Sequence, residues 1–507
     1  MTQGYEHRIR CKALLDKVIP AEQAVDMIKD GMTLGISGFT ITAEPKVILK
    51  KLAEKVENTG EKIGVHLFSG ASVGDECDGA LARAGSLLTR IPYQSDKDVR
   101  NNLNTVGGVR YIDQHLSMSP QDTRYGFYGD VDFAIIEACA ITEEGGIVPT
   151  TSLGSSPTFV QAAKKVLVEL NTVQMEALEG IHDIYTPLDP PNRQPIPLTS
   201  TGQRIGTTYI PCDPEKIAGI VITDIPDNVK SFKPIDDTSQ AIAENIIGVL
   251  KNEVAEGRLP ANLLPLQSGV GSVANAVLAG LANSGFKNLS FYSEVIQDSA
   301  LQLIKKGVLD VCSGTSITPS PEGLVDFVEN IEFYKKHIVL RPQEISNNPE
   351  IARRLGVIAM NTAIEADIYG NVNSTHIMGT RMMNGIGGSG DFARSSFISI
   401  FMTASTAKGG EISSIVPMVS HVDHTEHDVR FIITEQGVAD LRYLCPRERA
   451  LAIINNCSHP EFRPMLMDYY QRALKETPAG KAHTPHILTE ALSWHDRFNK
   501  TGTMKIK

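Results

Sequence analysis

The sequence predicts an α/β protein built on mostly parallel sheets. Short apolar segments alternate with amphipathic helical segments along both halves of the chain, and loops rich in glycine and serine follow the apolar segments. A faint internal repeat supports this: Glu137-Ala138 and Glu365-Ala366 are each followed, at similar spacing, by isoleucine, glycine, valine, threonine and glycine. We therefore expect two related α/β halves with a ligand cleft between them.

The N-terminal elements illustrate the pattern. A helix is predicted over Pro20–Gly31, because proline is favoured at the start of a helix and glycine at its end. Its residues Ala24, Val25 and Ile28 form one apolar stripe. The elements predicted next are a strand, a helix and two further strands: Met32–Ile36, Pro45–Val56, Ile63–Phe68 and Val131–Ile136.

A proline-rich stretch separates the two halves. Nine prolines occur between Pro187 and Pro234, against 27 in the whole chain. This density indicates an irregular connection, although the apolar segment Ile217–Thr223 predicts a strand inside it. We place the boundary there and predict an N-terminal domain over residues 1–225 and a C-terminal domain over residues 226–507.

Composition and charge restrict the class of protein. The chain has 507 residues, with 48 Lys and Arg against 59 Asp and Glu, and a net charge of -11. Binding of nucleic acid needs a large basic face, so we expect no nucleic-acid partner, whereas a small basic pocket for one phosphorylated ligand is compatible with this charge. The sequence contains no run of 18 apolar residues and no apolar signal-peptide core near its start, so we expect no membrane span.

Seven cysteines are spread along the chain without a Cys-x-x-Cys pair. Their odd number and wide spacing indicate reduced thiols in a cytoplasmic protein. The cluster of His and Asp over residues 421–427 has no neighbouring cysteine and no common zinc spacing, which favours a polar loop over a metal site. We therefore predict that no metal is bound.

Glu294 is the first candidate for chemistry. The strand-like segment Leu289–Tyr292 precedes it, and ligands of open α/β sheets bind at the carboxyl ends of strands. The alternative is structural: Ser293 caps a helix and Glu294 complements the helix dipole. From spacing alone this alternative is the more common arrangement.

Two glycine loops are candidates for binding an anion or an oxyanion. The loop Gly269–Val273 leads into an apolar helix, where free backbone N–H groups can donate hydrogen bonds. The loop Asn384–Phe392 matches Gly-x-Gly-x-x-Gly, but no apolar strand precedes it, as a dinucleotide fingerprint requires. Tight turns between elements are the structural alternative for the first loop; the second contains more glycines than such a turn needs.

Three polar residues lie near turns. The Asn347 amide can donate a hydrogen bond to a carbonyl oxygen, or it can form an Asx turn before Pro349. Glu435 supplies an acid beside a turn, and Lys408 is a cation beside flexible glycines that suits a phosphate. In isolation, a solvated surface residue is the more common outcome for Glu435 and Lys408.

Three motifs together resemble class I coenzyme A transferases, and among these the acetyl-CoA hydrolase/transferase branch. They are Ser-Glu-Val-Ile-Gln-Asp around Glu294, Gln-Ser-Gly-Val-Gly from Gln267, and Asn-Gly-Ile-Gly-Gly-Ser-Gly-Asp-Phe from Asn384. The resemblance extends from Ser37 to His495. In the wider class the glutamate lies in a Glu-x-Gly pattern; here valine and isoleucine follow it, as is usual in this branch.

The resemblance implies two NagB/RpiA-like open-sheet domains with the active-site cleft between them, commonly in a homodimer. It makes Glu294 the nucleophile and Glu435 an active-site partner that helps to place the reacting groups. The oxyanion donors would be the backbone amides of Val270 and Gly388 and the side chain of Asn347. The implied contacts with coenzyme A are Gly269, Val270, Gly271, Ser272, Val273, Ile364, Asn384, Gly388 and Lys408.

The resemblance also implies the reaction. An acyl-CoA and a carboxylic acid would exchange coenzyme A through an acyl-glutamyl anhydride and a glutamyl-CoA thioester on Glu294, without a tightly bound cofactor. The segment around Glu294 resembles members that use succinyl-CoA and acetate, and the segment 341–350 resembles members that use propionyl-CoA and succinate. We expect succinyl-CoA:acetate transfer; the alternatives are propionyl-CoA:succinate transfer, acetyl-CoA hydrolysis, and a protein that binds coenzyme A or a nucleotide without turnover.

Overall fold

A computed structural model describes residues 4–229, 231, 234–477 and 481–506. Helices and strands alternate along most of the chain. The α-helices are α1 (Ala21–Met27), α2 (Ile48–Thr59), α3 (Ala80–Arg83), α4 (Lys97–Leu103), α5 (Met118–Arg124), α6 (Ser156–Ala162), α7 (Asp237–Ala255), α8 (Ser272–Leu281), α9 (Asp298–Lys305), α10 (Pro321–Glu329), α11 (Ile331–Tyr334), α12 (Gln343–Ser346), α13 (Pro349–Leu355), α14 (Ser389–Ala393), α15 (Pro446–Cys457), α16 (Arg463–Glu476) and α17 (Ser493–Thr501).

Most of the strands are short. They are β1 (Thr33–Ile36), β2 (Val65–Phe68), β3 (Leu87–Ile91), β4 (Arg110–Tyr111), β5 (Phe133–Ala138), β6 (Ala140–Ile141), β7 (Ile147–Val148), β8 (Lys165–Asn171), β9 (Ile217–Thr223), β10 (Leu266–Ser268), β11 (Leu289–Tyr292), β12 (Val295–Ile296), β13 (Leu309–Gly314), β14 (Ser316–Ile317), β15 (Ile338–Leu340), β16 (Ile358–Thr362), β17 (Glu365–Asp367), β18 (Val372–Asn373), β19 (His376–Ile377), β20 (Arg381–Met382), β21 (Ile398–Met402), β22 (Thr406–Ala407), β23 (Ile412–Ser413), β24 (Ile415–Val416), β25 (Phe431–Thr434) and β26 (Gly437–Asp440).

The chain divides into two compact units. Unit 1 comprises Met1–Ser231, Phe291–Lys305 and Leu309–Leu355, and unit 2 comprises Phe232–Ser290, Lys306–Val308 and Gly356–Lys507. The chain therefore returns to unit 1 after it has begun unit 2, and the crossing falls within β11. The predicted sequence domains, divided after residue 225, stay a prediction.

Unit 1 contains a seven-stranded parallel sheet in the order β4-β3-β2-β1-β5-β8-β9. Alternate residues of its strands, such as Leu34, Ile36 and Leu67, are fully buried on one face. They pack with Leu49 and Leu52 of α2, which forms part of the same core. This is the pattern expected of a sheet covered by crossover helices, and it confirms the predicted open-sheet α/β class.

The start of α2 differs from the prediction. The helix begins at Ile48 instead of Pro45, because the buried carboxylate of Glu169 accepts hydrogen bonds from the backbone amides of Lys46, Val47 and Ile48, at 2.6 to 3.1 Å. A distant strand residue thus satisfies the free amides at the helix start, which local sequence cannot reveal. The helix also extends three residues beyond the predicted end at Val56: it ends at Thr59 and is followed by Gly60 in the left-handed conformation with φ 71°.

Unit 1 also carries the parallel strands β13 and β15, and β13 neighbours β11. Short β12 and β14 form a parallel pair just beyond the ends of β11 and β13. In unit 2, β10, β16, β21 and β25 are parallel in that order, and β26 adds an antiparallel edge. No helix in the part of the chain that the structure describes is long and apolar enough to cross a membrane.

A fully buried lysine organises the polar interior of unit 1. The Lys46 ammonium lies 2.8 Å from Asp227 Oδ1, 3.4 Å from Glu137 Oε2 and 3.8 Å from Glu44 Oε1. Burial raises the pKa of Glu44 to about 8 and that of Glu137 to about 7. The pKa of Asp227 is lowered instead, because the attraction of Lys46 and the hydrogen bonds to this carboxylate outweigh the effect of burial. One cation therefore compensates several desolvated acids, so its loss is expected to be costly.

Replacing Lys46 with methionine should lower the free energy of unfolding by about 3–5 kcal/mol near neutral pH, because buried carboxylates lose their counter-ion. Urea unfolding followed by circular dichroism measures this. The loss should shrink towards pH ~5, since Glu137, whose pKa is raised to about 7, becomes neutral over that range. Lys51→Met, which removes a half-exposed lysine, is the control; an equal loss in both variants would contradict the prediction.

Candidate active site

Glu294 follows β11 and lies in the bend between β11 and β12. The amide of Ser293 donates to the carbonyl of Ser313 at 2.9 Å. The carbonyl of Glu294 accepts from the amides of Thr315 at 2.7 Å and Ser316 at 3.1 Å. The helix-cap alternative is therefore wrong: the next helix, α9, begins only at Asp298, and Glu294 is fixed at the carboxyl end of a strand.

The Glu294 side chain is partly exposed and accepts a hydrogen bond from Asn347 Nδ2. Burial raises the pKa of its carboxyl to about 7, and the Asn347 hydrogen bond opposes this shift without cancelling it. A carboxylate with little solvation and one amide donor is more reactive than one that is fully hydrated or ion-paired. The geometry thus favours Glu294 as a nucleophile.

Asn347 is fully buried, and its amide is oriented by its neighbours. The Ser346 hydroxyl donates to Asn347 Oδ1 at 2.8 Å, which directs Nδ2 towards Glu294. The Asn347 backbone amide continues α12 by donating to the Gln343 carbonyl at 2.9 Å. The Tyr292 hydroxyl donates to the Ile345 carbonyl and joins this turn to β11. The Asx-turn alternative fails for Asn347, since Asn348 Oδ1 caps α13.

A loop after β1 supports the backbone beside Glu294. Three of its residues, Thr40, Ile41 and Ala43, have left-handed backbone with φ between 54° and 63°, a conformation that costs energy for residues other than glycine. The loop is held from inside, because Ala43 donates to Asp227 Oδ1 at 3.0 Å. Its Thr42 hydroxyl is 3.0 Å from the Ser316 hydroxyl, and Ser316 donates to the Glu294 carbonyl.

The remaining predicted residues lie in unit 2. Val270, Ile364 and Glu435 follow β10, β16 and β25, and the segment that contains Lys408 follows β21. These four strands are adjacent and parallel, so their carboxyl ends meet at one edge of the sheet. That edge is where open α/β sheets bind ligands.

Both predicted glycine loops lead into helices. Gly271, with φ 116°, immediately precedes α8, and Val270 is 49% exposed. Gly388 immediately precedes α14, so its loop presents backbone amides at a helix start. Gln267 and Asn361 exchange a side-chain hydrogen bond at 3.1 Å, which fixes β10 against β16 below the first loop. Only the short strand β20 precedes the second loop, which is consistent with its exclusion as a dinucleotide fingerprint.

Glu435 is an ionised and well-bound acid. Its carboxylate accepts hydrogen bonds from the Ser405 amide at 2.8 Å, the Ser405 hydroxyl and Gln436 Nε2 at 3.0 Å. Burial alone would raise the pKa of this carboxyl, but these donors hold it below its ordinary value. Glu435 is therefore a fixed negative charge, in contrast to Glu294.

Other polar side chains singled out by sequence have structural partners. Arg341 is fully buried and ion-paired with Asp183, so it is occupied within unit 1. In unit 2, His421 lies 3.3 Å from Asp423, and the buried His424 lies 3.0 Å from the Ser389 hydroxyl. Within the described ranges, no group of three His, Cys, Asp or Glu side chains is arranged to hold a metal ion.

Sequence reasoning missed the residues that orient the predicted ones. Ser346 sets the Asn347 amide, Ser405 holds Glu435, and Ser316 ties the loop after β1 to Glu294. Serine is common in loops, so composition carries no signal for these roles. Only its position directly before Asn347 marks Ser346 as a candidate.

Comparison with known proteins identifies related sequences. Residues 4–222 match the family model for the acetyl-CoA hydrolase/transferase N-terminal domain, and residues 323–470 match that for the C-terminal domain. The chain is 58% identical to a succinyl-CoA:acetate CoA-transferase of Clostridium kluyveri, over 99% of this chain and 92% of that protein. It is 47% identical to an acetyl-CoA hydrolase of Candida albicans, over 100% and 99% of the two chains.

A solved structure supports the fold. The 4-hydroxybutyrate CoA-transferase of Porphyromonas gingivalis superposes with a TM-score of 0.64 at 22% identity, covering 92% of this chain and 100% of that one. A likeness at this identity concerns architecture alone. It agrees with the open parallel sheets of units 1 and 2.

Removing the charge of Glu294 should stabilise the protein at alkaline pH. Because burial raises the pKa of Glu294 to about 7, the stability that the protonated carboxyl contributes is full below its unfolded pKa of ~4.3 and lost as the pH rises through about 7. Glu294→Gln should therefore raise Tm by about 2 °C or more at pH ~8.5 and leave it unchanged at pH ~4.5. Calorimetry, with exposed Glu329→Gln as control, measures both; equal Tm values at pH ~8.5 would contradict the prediction.

Proposed function

The chain belongs to the acetyl-CoA hydrolase/transferase family and is an enzyme that transfers coenzyme A, and on that premise we propose that it exchanges coenzyme A between succinyl-CoA and acetate through covalent intermediates on Glu294. The observation that carries the proposal is the desolvated Glu294 carboxylate, partly exposed and bound by the Asn347 amide. The relative named for succinyl-CoA and acetate supports this substrate pair.

The first step uses Glu294 as nucleophile. Its carboxylate oxygen attacks the acyl carbonyl of the acyl-CoA, and the C–S bond breaks. The coenzyme A thiolate departs, and an acyl-glutamyl anhydride remains on the enzyme. Once ionised, a carboxylate needs no general base for this attack. The developing oxyanion needs hydrogen-bond donors, for which we propose the backbone amides of Val270 and Gly388.

The second step moves coenzyme A onto the enzyme. The thiolate attacks the glutamyl carbonyl, and the C–O bond between that carbonyl and the bridging oxygen of the anhydride breaks. The free carboxylate departs, and a glutamyl-CoA thioester remains on the enzyme. Asn347 Nδ2 already donates to a Glu294 carboxylate oxygen, so it can donate to the oxyanion that forms on the glutamyl group. Acetate then attacks the thioester and reverses the two steps to give acetyl-CoA.

The carboxyl edge of the unit 2 strands suits the rest of coenzyme A. We propose that the coenzyme A part of the substrate lies along Gly269–Val273 and contacts Ile364, Asn384 and Gly388, with Lys408 near a phosphate. Backbone amides at helix starts and a lysine both favour phosphate groups. Binding energy from this remote part can assist the reacting end. Glu435, a fixed charge, is proposed to help place the reacting groups.

Hydrolysis on the same scaffold is the second candidate. The Candida albicans relative is named acetyl-CoA hydrolase, and the partly exposed Glu294 is reachable by water. Water would then take the place of acetate as the final acceptor. Propionyl-CoA:succinate transfer, the homodimer and the cytoplasmic location stay predictions from the sequence.

Incubation with acyl-CoA should leave coenzyme A covalently bound to the wild-type enzyme. After incubation of wild type and Glu294→Ala with succinyl-CoA, acetyl-CoA and propionyl-CoA in turn, intact mass should show an increase of coenzyme A less one water in the wild type alone. Peptide mapping should place the adduct on Glu294, and the donor that gives the most adduct ranks the substrates.

The same experiment separates the alternatives. Acceleration of donor consumption by acetate supports transfer, whereas consumption that is independent of any carboxylic acid supports hydrolysis. An adduct that persists in Glu294→Ala would exclude Glu294 as the nucleophile. No consumption of any donor would leave a protein that binds without turnover and would contradict the proposal.

The rate should depend on pH through Glu294. Because burial raises the pKa of Glu294 to about 7, kcat/KM for the acyl-CoA should rise about tenfold per pH unit below that value and level off above it. Asn347→Ala should move the inflection to higher pH and lower the plateau by about 10²–10³. Asn348→Ser, which preserves the cap of α13, is the matched control; an unmoved inflection in Asn347→Ala would refute the role of its hydrogen bond.

A further inference from the structure

The turn at Lys408 has a backbone conformation that is unfavourable for lysine. Lys408, Gly409 and Gly410 have φ of 48°, 66° and 89°, three successive residues in the left-handed region. Glycine adopts this conformation freely, whereas lysine does so at a cost. The flanking hairpin of β22 and β23 has only two residues in each strand. Contacts from elsewhere must therefore hold the turn.

Those contacts come from the last residues of the chain. The Lys408 ammonium lies 5.2 Å from the ring centroid of Phe498 in α17. Beyond the helix, the Met504 amide donates to the Glu411 carbonyl at 2.9 Å. Lys505 lies 3.8 Å from the Glu411 carboxylate and 2.8 Å from that of Glu461. We call residues 493–506 the C-terminal brace.

The brace is itself anchored beside a second predicted contact of coenzyme A. His495 Nε2 lies 2.7 Å from Glu365 Oε2, and both side chains are buried. Glu365 directly follows Ile364 and accepts further hydrogen bonds from Asn373 and Ser420. One short helix thus contacts the chain after β16 through His495 and the turn after β21 through Phe498.

We propose that the C-terminal brace positions the phosphate-binding lysine of the coenzyme A site, with Phe498 as the residue that orients Lys408 and His495 as the anchor of the helix. This rests on the proposed function, in which Lys408 binds a phosphate. Phe498 and His495 are positioning residues: both act through another residue and neither contacts the substrate.

The chemistry of the contact suits this role. A free lysine side chain samples many rotamers and loses that freedom when it binds a phosphate. An aromatic face attracts the ammonium electrostatically without acting as a conventional hydrogen-bond acceptor for its N–H groups. The ring therefore restricts Lys408 while its donors stay available, which reduces the ordering cost of binding.

Kinetics of Phe498 variants test the proposal. Phe498→Leu keeps an apolar side chain and removes the ring, so it should raise KM for succinyl-CoA about two- to fivefold while kcat and KM for acetate stay unchanged. Phe498→Tyr keeps the ring and should restore the wild-type KM. Asn499→Ala, at the next and exposed position of α17, is the matched control.

A truncated donor and a double variant sharpen the test. With succinyl-pantetheine, which lacks the phosphates, wild type and Phe498→Leu should react equally. In a Lys408→Met background, Phe498→Leu should have no further effect on KM for succinyl-CoA. A merely structural role would lower kcat and impair both donors, and it would act equally in the Lys408→Met background.

Each outcome has a distinct meaning. A wild type that transfers no coenzyme A overturns the proposed function. A wild type that transfers it, together with a Phe498→Leu variant of unchanged KM, overturns the brace alone. If Phe498→Leu does not fold, Phe498→Tyr and the Lys408→Met variant decide: a KM for succinyl-CoA that Lys408→Met leaves unchanged overturns the proposal.

Discussion

The Glu294 carboxylate receives a hydrogen bond from the Asn347 amide in surroundings that solvate it poorly, and this constraint explains much of unit 1. Poor solvation disfavours the ionised form of the carboxyl, so the backbone must hold the side chain in this position. Two amides after β13 bind the Glu294 carbonyl, and Ser346 fixes the direction of the Asn347 amide. The strained loop after β1 then supports Ser316 from the other side. The poorly solvated carboxylate thus costs stability that the surrounding hydrogen bonds and core offset.

Local sequence was enough to predict the elements, and less so their ends. Strands Leu289–Tyr292 and Ile217–Thr223 were predicted with the bounds that the structure has, because apolar runs between turn residues have no competing structure. The start of α2 was predicted three residues too early, since the carboxylate that accepts hydrogen bonds from the amides at the helix start belongs to Glu169 in β8. Long-range partners of this kind leave no trace in the local pattern.

The candidate site shows the same division. Local spacing favoured a helix cap at Glu294, and only the combination of three distant motifs pointed to a nucleophile. The structure excludes the cap because α9 begins only at Asp298, and the Glu294 carbonyl is instead bound by the amides of Thr315 and Ser316. Asn347 was equally compatible with an Asx turn, but Asn348 is the residue that caps α13, and the Ser346 hydroxyl orients the Asn347 amide. Serines that orient other residues lie beyond prediction, since their role exists only once the fold has brought the partners together.

The two glutamates that begin the predicted internal repeat are both buried. Glu137 lies at the end of β5 and binds Lys46, Thr150 and Asn171. Glu365, its counterpart, lies just beyond β16 and binds His495, Asn373 and Ser420. Each carboxylate therefore connects a strand end to segments distant in sequence. Glu294 and Glu435 extend the contrast. Burial raises the pKa of Glu294 against the opposing effect of its one donor, whereas three hydrogen bonds keep the pKa of Glu435 below its ordinary value. Because a well-bound carboxylate is a poor nucleophile, the environment of each acid, and not its residue type, supports the proposal that Glu294 attacks and Glu435 stays a fixed charge.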